Sequence, residues 1–222
     1  MLTLGIETAA DVCAVALLDG DDVLVRSAVH VPRAHGRRLA PLVAEALGHA
    51  GRAPADLGLV AVSAGPGSYT GLRIGMATAK GLCLATGAAL AAVPTLEALA
   101  RGGADGPVVV ALPSRRGEVY AALYDGAAEV RAPAALALDD LAGWLPAAPP
   151  GGFALGGPGA GRVAEAAPGV AWRRVDLVPD AVAVARLGRA AARAGRPADV
   201  AAAEPLYLKP VAAVRPRGIF GG

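Results

Sequence analysis

The segment from residue 65 to residue 75 carries the residue types best suited to bind a small anion. It reads Gly-Pro-Gly-Ser-Tyr-Thr-Gly-Leu-Arg-Ile-Gly and follows an apolar strand predicted over residues 59–63. The helix predicted to follow would offer free backbone N–H groups and the positive end of its dipole. However, Thr70 stands where a dinucleotide fingerprint has its third glycine, and no Lys-Ser or Lys-Thr completes a Walker A loop. An anion site and a plain strand-to-helix turn, capped by Ser68 or Thr70, both fit this segment.

Two further turns carry acids, hydroxyls or cations that could hold a phosphate group: Glu7, Thr8, Asp11, Ser114 and Arg115. Phosphoryl transfer requires a carboxylate that holds a metal and a cradle for the phosphates. Pro113 offers the second turn neither a carboxylate nor an N–H group. A free-standing phosphotransferase or ATPase is therefore the weaker alternative, and the arginines of the second turn also fit a solvated hairpin tip.

A protease interpretation has little support in the residue pattern. A zinc protease requires two histidines one helical turn apart, whereas the histidines here are isolated: His30, His35 and His49. A serine or cysteine protease requires a nucleophile, a histidine and an acid brought together. No local pattern indicates such a group around the available nucleophiles, Ser63, Ser68, Cys13 and Cys83. We therefore predict no catalytic residue and no metal site in this chain.

The composition indicates a cytoplasmic protein that is not a general nucleic-acid binder. Hydrophobic residues make up 55% of the 222 residues, and the net charge of +2 is too small to attract nucleic acid by itself. The two cysteines lie apart inside apolar runs, which is typical of buried free thiols in a reducing compartment. The chain opens directly into a strand, and no apolar run reaches the roughly 18 residues of a membrane span. We expect the cytoplasm and no membrane contact.

Hydrophobic periodicity predicts an α/β protein in which the order of elements is duplicated. Strands are predicted over residues 2–6, 12–18, 23–29, 59–63 and 88–93, and helices over 37–50, 70–86 and 95–100. A weaker version follows, with strands over 108–112, 118–123, 129–131 and 153–155, helices near 139–145 and 180–194, and a tail. Such a duplication is typical of the actin/Hsp70-like (ASKHA) fold, in which each of two lobes is a mixed sheet flanked by helices. The predicted lobes are residues 1–102 and residues 103–222, the latter ending in the extended tail.

The two long helices of the first half each have a distinctive face. The first has an apolar stripe that includes Leu39, Leu42, Val43 and Ala46. In the second, Gly71, Gly75 and Ala79 share one face, and each helical glycine costs up to about 1 kcal/mol relative to alanine. Something must therefore pack closely against this face. The sheet of the same chain and a helix of another subunit are both possible neighbours.

The segment 65–75 is similar to the signature of the TsaB (YeaZ) family, and the resemblance covers most of the chain. Further matching blocks lie at residues 2–9, 33–41, 94–100, 115–120 and 203–208, whereas residues 125–200 match poorly. The signature residues are Gly65, Pro66, Gly67, Ser68, Tyr69, Thr70 and Arg73. The sequence departs from the family at Glu7 and Pro113, where the family usually has aspartates.

The resemblance implies a non-catalytic subunit needed to form threonylcarbamoyladenosine at position 37 of tRNAs that read codons beginning with A. In the family this subunit pairs with its paralogue TsaD, which holds the metal and catalyses the transfer, and the ATPase TsaE joins them. The resemblance thus implies that ATP and metal are bound by the complex. It implies that this chain alone binds no cofactor tightly and contacts tRNA only through the complex. The implied interface, which could also form a homodimer, comprises Leu39, Leu42, Val43, Ala46, Gly71, Leu72, Gly75, Met76 and Ala79. The turns with Glu7, Thr8, Asp11, Ser114 and Arg115 would be remnants of a nucleotide site.

Two sets of arginines could contact tRNA phosphates within such a complex. Arg186, Arg189 and Arg193 share one face of the late helix by their spacing. A second set lies between residues 26 and 52, a stretch in which Glu45 is the only acid. It comprises Arg26, Arg33, Arg37, Arg38 and Arg52. Charged stripes are also typical of ordinary solvated faces, so that interpretation stays open.

Overall fold

The first half of the chain forms one mixed five-stranded sheet. The computed structural model describes residues 1–30, 35–103 and 105–209. The strands of this sheet are β1 (Leu2–Glu7), β2 (Val12–Asp19), β3 (Asp22–His30), β4 (Leu57–Gly65) and β5 (Ala89–Pro94). The first three pair antiparallel, whereas β4 and β5 run parallel to β1, and the order across the sheet is β3-β2-β1-β4-β5. The predicted hairpin over residues 12–29 is confirmed.

Helices cover both faces of this first sheet. On one face lie α1 (His35–His49) and α2 (Tyr69–Thr86), whose apolar side chains form a single core with Leu4 and Ile6 of β1. Side chains alternate along a strand, so Gly5 faces the other side. There α6 (Ala181–Arg193) packs so closely that a Cβ on Gly5 would lie 2.9 Å from the Ala185 Cβ.

The second half of the chain repeats this arrangement. Its strands are β6 (Pro107–Pro113), β7 (Glu118–Asp125), β8 (Ala128–Ala137), β9 (Phe153–Gly156) and β10 (Trp172–Arg174), in the order β10-β9-β6-β7-β8. Its helices are α4 (Leu141–Trp144) and α5 (Ala160–Ala166), and α3 (Thr95–Ala100), which precedes it in the chain, packs Leu96 and Leu99 against Val108 and Val110 of β6. Again three antiparallel strands are extended by two parallel ones. Two such mixed sheets flanked by helices confirm the predicted actin-like, two-lobed fold.

The predicted boundary near residue 102 separates the strands of the two lobes but not all of the helices. The helix α6 packs against the first sheet, with Val184 buried beside Leu59 and Ala61 of β4. After α6 the chain stays on the first lobe, where the Ala198 N–H donates to the Leu90 carbonyl at 2.8 Å. The assignment of all of 103–222 to the second lobe is therefore corrected, because α6 and the following segment belong to the first. Residues 210–222 of the predicted tail lie outside the described residues.

Two short elements of the second lobe, α5 and β10, are absent from the sequence-based prediction. Both are brief and flanked by proline or glycine, which obscures their periodicity. Within the described parts of the chain, no helix is both long and apolar enough to span a membrane.

Candidate functional site

The glycine-rich segment forms a tight turn that joins β4 to α2. Gly65 has a φ of +115°, which favours glycine, and a cis peptide bond joins it to Pro66. The Ser68 N–H donates to the Ala9 carbonyl at 2.7 Å, which ties this turn to the loop after β1. The Ser68 hydroxyl accepts from the Gly71 N–H at 3.2 Å, so Ser68 is the helix cap and Thr70 is exposed in the first turn of α2.

The segment 203–208 lies directly on this turn. The Leu206 N–H donates to the Ala64 carbonyl at 2.7 Å, and a Cβ on Gly65 would lie 2.6 Å from the Leu206 carbonyl oxygen. The rings of Tyr69 and Tyr207 pack with their centroids 5.3 Å apart. The blocks 65–75 and 203–208, which are far apart in the sequence, thus form one surface. The sequence predicts each block but not their contact.

A cavity of about 540 Å³ lies between the two lobes. Its walls come from the loop after β1, the start of α2, the turn between β6 and β7, and the segment 206–209. Three of the predicted turn residues, Asp11, Ser114 and Arg115, line this single cavity. The Ser114 Oγ is buried and has no hydrogen-bond partner among the described residues. The structure therefore brings together these members of the two predicted turns.

Glu7 and Thr8 do not line the cavity. Both are fully buried, and the Glu7 Oε1 accepts a hydrogen bond from the Ala9 N–H at 2.6 Å. Burial raises the pKa of the Glu7 carboxyl to about 7, although that hydrogen bond opposes the shift. Pro113 contributes no acid on the opposite wall, so Asp11 is the cavity's carboxylate among the described residues. These residues do not fit a magnesium-bound nucleotide, which requires several metal-holding oxygens.

The nine residues predicted as the partner interface are buried within this chain. Leu39, for example, is 1% exposed, Leu72 is 1% exposed and Ala79 is fully buried. The full set comprises Leu39, Leu42, Val43, Ala46, Gly71, Leu72, Gly75, Met76 and Ala79. This residue assignment is corrected, because an apolar stripe on a helix of a small lobe first packs against its own sheet.

The bare glycine face of α2 packs against the end of β1. A Cβ on Gly71 would collide with the Thr8 carbonyl oxygen, and one on Gly75 would collide with the Thr8 hydroxyl. The close neighbour that the glycines indicate is therefore this chain's own strand. A large side chain at Gly75 would disturb the fold before it affected any partner.

The opposite faces of α1 and α2 are exposed and are also built from small residues. Because β3 and β4 both run parallel to β1, the two helices begin at the same end of the sheet and lie side by side. Outside its own stretch of helix, a Cβ on Gly48 or Gly81 would meet no atom of the described residues within 4 Å. The outward residues include Ala40, Ala44, Gly48, Ala77, Gly81 and Leu84. We call these six residues the outer helix face; Leu84 is 77% exposed.

His35 and Cys13 have structural environments. The His35 Nε2 donates to the Ala10 carbonyl at 2.9 Å, which holds the start of α1 against the loop after β1. Cys13 is fully buried, and desolvation raises the pKa of its thiol to about 11, so it stays protonated at neutral pH. Among the described residues there is no cluster of three or more His, Cys, Asp or Glu side chains that could hold a metal ion.

The predicted arginine stripe on α6 is broken. Arg189 is 3% exposed, and its Nη1 lies 2.9 Å from an Asp21 carboxylate oxygen. Arg189 belongs to the buried residues of α6, so Arg186, Arg189 and Arg193 do not form one exposed face. Arg186 and Arg193 remain exposed.

The second arginine set is also partly occupied. Arg26 lies 3.3 Å from Asp180, and Arg52 lies 3.3 Å from Asp19. Arg37 and Arg38 are exposed at the start of α1, whereas Arg33 lies outside the described residues.

Comparison with known proteins shows which proteins this chain resembles. The sequence profile of TsaD, tRNA N6-adenosine threonylcarbamoyltransferase, matches residues 29–203. The tRNA threonylcarbamoyladenosine biosynthesis protein TsaB of Bacillus subtilis (strain 168) is 38% identical over 126 residues, which cover 56% of this chain and 55% of that protein. The chain spans about half the length of the curated relatives it matches.

Solved structures extend the similarity over nearly the whole chain. An uncharacterized protein from Pseudomonas aeruginosa with similarity to peptidase YEAZ has a TM-score of 0.81 at 30% identity, covering 94% of this chain and 99% of that one. The activator of 2-hydroxyisocaproyl-CoA dehydratase from Clostridium difficile, with bound ADPNP, has a TM-score of 0.52 at 11% identity and shares the fold alone. The chain therefore belongs to the TsaB (YeaZ) family, which is related to the TsaD transferases.

Proposed function

We propose that this chain is a cytoplasmic partner subunit without an active site of its own. It pairs with the TsaD protein of its genome and is required for threonylcarbamoylation of adenosine 37 in tRNAs that read codons beginning with A. The ATPase TsaE joins the pair, ATP and metal belong to those partners, and tRNA is reached through the complex. The observation that carries this proposal is the outer helix face.

Two properties of the outer helix face suit it to pair with another two-helix surface. Its residues are small over most of its length, so the backbone of a partner helix can approach closely. Leu84 protrudes at one end, and such an exposed apolar side chain gains free energy when a partner covers it. A paralogue with the same fold would present an equivalent pair of helices, and a second copy of this chain could occupy the same face.

The interlobe cavity supports the absence of catalysis. Asp11, Ser114 and Arg115 could hold a simple anion, but with Glu7 fully buried and a proline at position 113, the described residues provide no set of carboxylates in the cavity to hold a metal. The remaining alternative is a free-standing ATPase or phosphotransferase. Titration of the purified chain with ATP and magnesium separates the two functions, because turnover by the chain alone would favour the enzyme.

A glycine substitution on the outer helix face tests the pairing. Gly81→Gln places a larger polar side chain in open space, so the monomer should fold normally while pairing with TsaD weakens about tenfold or more. Gly161→Gln is the matched control, since Gly161 is also an exposed helical glycine whose missing Cβ would meet no described atom within 4 Å outside its own stretch of helix. Pairing is measured by calorimetry, and threonylcarbamoyladenosine formation is measured with the reconstituted complex. Equal pairing by both variants would contradict the proposed interface.

A further inference from the structure

A second concave surface lies beside the outer helix face. It is a groove of about 380 Å³ between α2 and the segment 203–207, with Tyr69 and Tyr207 at one end and Met76 along its floor. Ala77 belongs both to this groove and to the outer helix face. The groove is therefore continuous with the surface proposed to bind TsaD.

The groove carries an excess of positive charge over an apolar surface. The Arg73 Nη1 donates to the Tyr69 hydroxyl at 2.8 Å, and the Lys80 Nζ donates to the Ala201 carbonyl at 2.9 Å. Over residues 1–30, 35–103 and 105–209, no carboxylate lies within 4 Å of either cation. Among the same described residues, Glu204 is the single acid that lines the groove. Arg73 is thus held by one neutral oxygen and Lys80 by two, since its Nζ also donates to the Ala203 carbonyl at 3.2 Å, and the charge of each remains available to a carboxylate.

The walls have the residue types that dominate binding energy at protein interfaces. Tyrosine, arginine and methionine are enriched there, and tyrosine and arginine are frequent hot spots. Tyr69 is 43% exposed and Tyr207 is 40% exposed, and each ring is already fixed by the other. Little side-chain entropy would be lost when a partner covers them. An RNA strand fits less well, because two cations beside one acid leave a single net positive charge, whereas binding to an RNA backbone depends on neutralising several phosphates.

We propose that this groove receives an acidic segment of TsaD, in which a carboxylate side chain is flanked by an apolar or aromatic one. The carboxylate pairs with Arg73 and Lys80, and the apolar neighbour packs between Tyr207 and Met76. This inference rests on the proposed pairing and adds to it a charged anchor outside the outer helix face. The anchor favours a TsaD protein with a matching acid over a second copy of this chain.

Charge reversal in the intact pair tests this anchor. Arg73→Glu and Tyr207→Ala are compared with Arg186→Glu, an exposed arginine on α6, by calorimetry of each variant with full-length TsaD. We expect the two groove variants to bind about tenfold or more weakly, and the control to bind as the wild type does. The affinity of the wild type should fall more steeply with salt than that of Arg73→Glu. Far-ultraviolet circular dichroism and thermal melts confirm that each variant is folded.

The outcomes distinguish this inference from the function on which it rests. If the wild type does not pair with TsaD, both the proposed function and the proposed occupant of the groove are refuted. If Gly81→Gln weakens pairing while Arg73→Glu and Tyr207→Ala do not, pairing stands and the anchor is refuted. If the groove variants pair normally but the complex loses affinity for unmodified tRNA, the groove binds RNA and the proposal is overturned.

Discussion

The carboxyl group of Glu7 is buried at the end of β1 and does not line the interlobe cavity. One oxygen accepts the Ala9 N–H, and the other, Oε2, has no hydrogen-bond partner among the described residues. Desolvation favours the neutral form and raises the pKa of this carboxyl to about 7. The residue thus acts on stability instead of on a ligand.

Glu7 should make the stability of the fold depend on pH. Its pKa in the folded state lies above the unfolded value, so its contribution is complete below about pH 4.5 and is lost as the pH rises through about 7. We expect the free energy of unfolding, relative to Glu7→Gln, to fall by about 3 kcal/mol from acidic to weakly basic pH. Urea unfolding of both proteins across this range measures the difference. A constant difference would show that Glu7 ionises normally.

Two glycines of α2 should respond in opposite ways to the same substitution. Gly75→Ala forces a Cβ into the Thr8 hydroxyl and should cost about 1–3 kcal/mol of stability. Gly81→Ala fills open space and should stabilise the helix by up to about 1 kcal/mol. Thermal and urea unfolding of the two variants check this contrast. Equal effects would mean that the two faces of α2 are packed alike.

The spacing of Gly71, Gly75 and Ala79 predicts a close neighbour, and the structure contains one. Spacing defines which residues share a face of a helix, but not the direction in which that face points. The buried face and the outer helix face of α2 both contain small residues, so the choice between sheet and partner required coordinates. The cap at Ser68, by contrast, follows from local hydrogen bonding and is one of two candidates that the sequence provides.

At the scale of elements, α6 determines how the lobes are completed. Its period and its limits are predicted closely, since the predicted range 180–194 contains the observed Ala181–Arg193. Its position is not predicted, because periodicity describes one helix and carries no information about which of two sheets it covers. For the same reason, the spacing of Arg186, Arg189 and Arg193 predicts one exposed face, whereas Arg189 is buried.

A larger residue at Gly188 should displace α6 from the first sheet. A Cβ there would collide with the Ala61 Cβ and lie 3.2 Å from the Ala91 Cβ. We expect Gly188→Val to lower the free energy of unfolding by about 1–3 kcal/mol. Gly161→Val controls for the loss of glycine in a helix, and hydrogen exchange locates the change. Normal protection of β1 and β4 in Gly188→Val would contradict this packing.

The two-lobed architecture is predictable for the whole molecule because the order of elements is duplicated and the hairpins have strong turn signals. The cavity between the lobes is predictable only in part. Its two turns are recognisable from their residues, whereas the wall formed by Leu206 and Tyr207 depends on a long return of the chain. Contacts between residues so distant in sequence leave no periodic pattern.

The first lobe should not fold from residues 1–102 alone. Without α6, the sheet face that carries Ala14, Ala16 and Leu18 would be exposed to water. We expect this fragment to show no cooperative unfolding transition, and a peptide of residues 178–209 to restore one when added. Circular dichroism during thermal denaturation provides the measurement. A cooperative transition of the fragment alone would restore the boundary at residue 102.

The late position of α6 also affects how the protein emerges during synthesis. The last strand of the first sheet ends at Pro94, and the helix that covers its second face ends at Arg193, about a hundred residues later. At typical translation speeds this interval lasts roughly 5 to 20 seconds. During that time one apolar face of the first sheet is not yet covered by α6, while the entire second lobe is translated. We therefore expect the nascent chain to expose this apolar face to chaperones until α6 has been synthesised, although the strands of the first sheet are already complete.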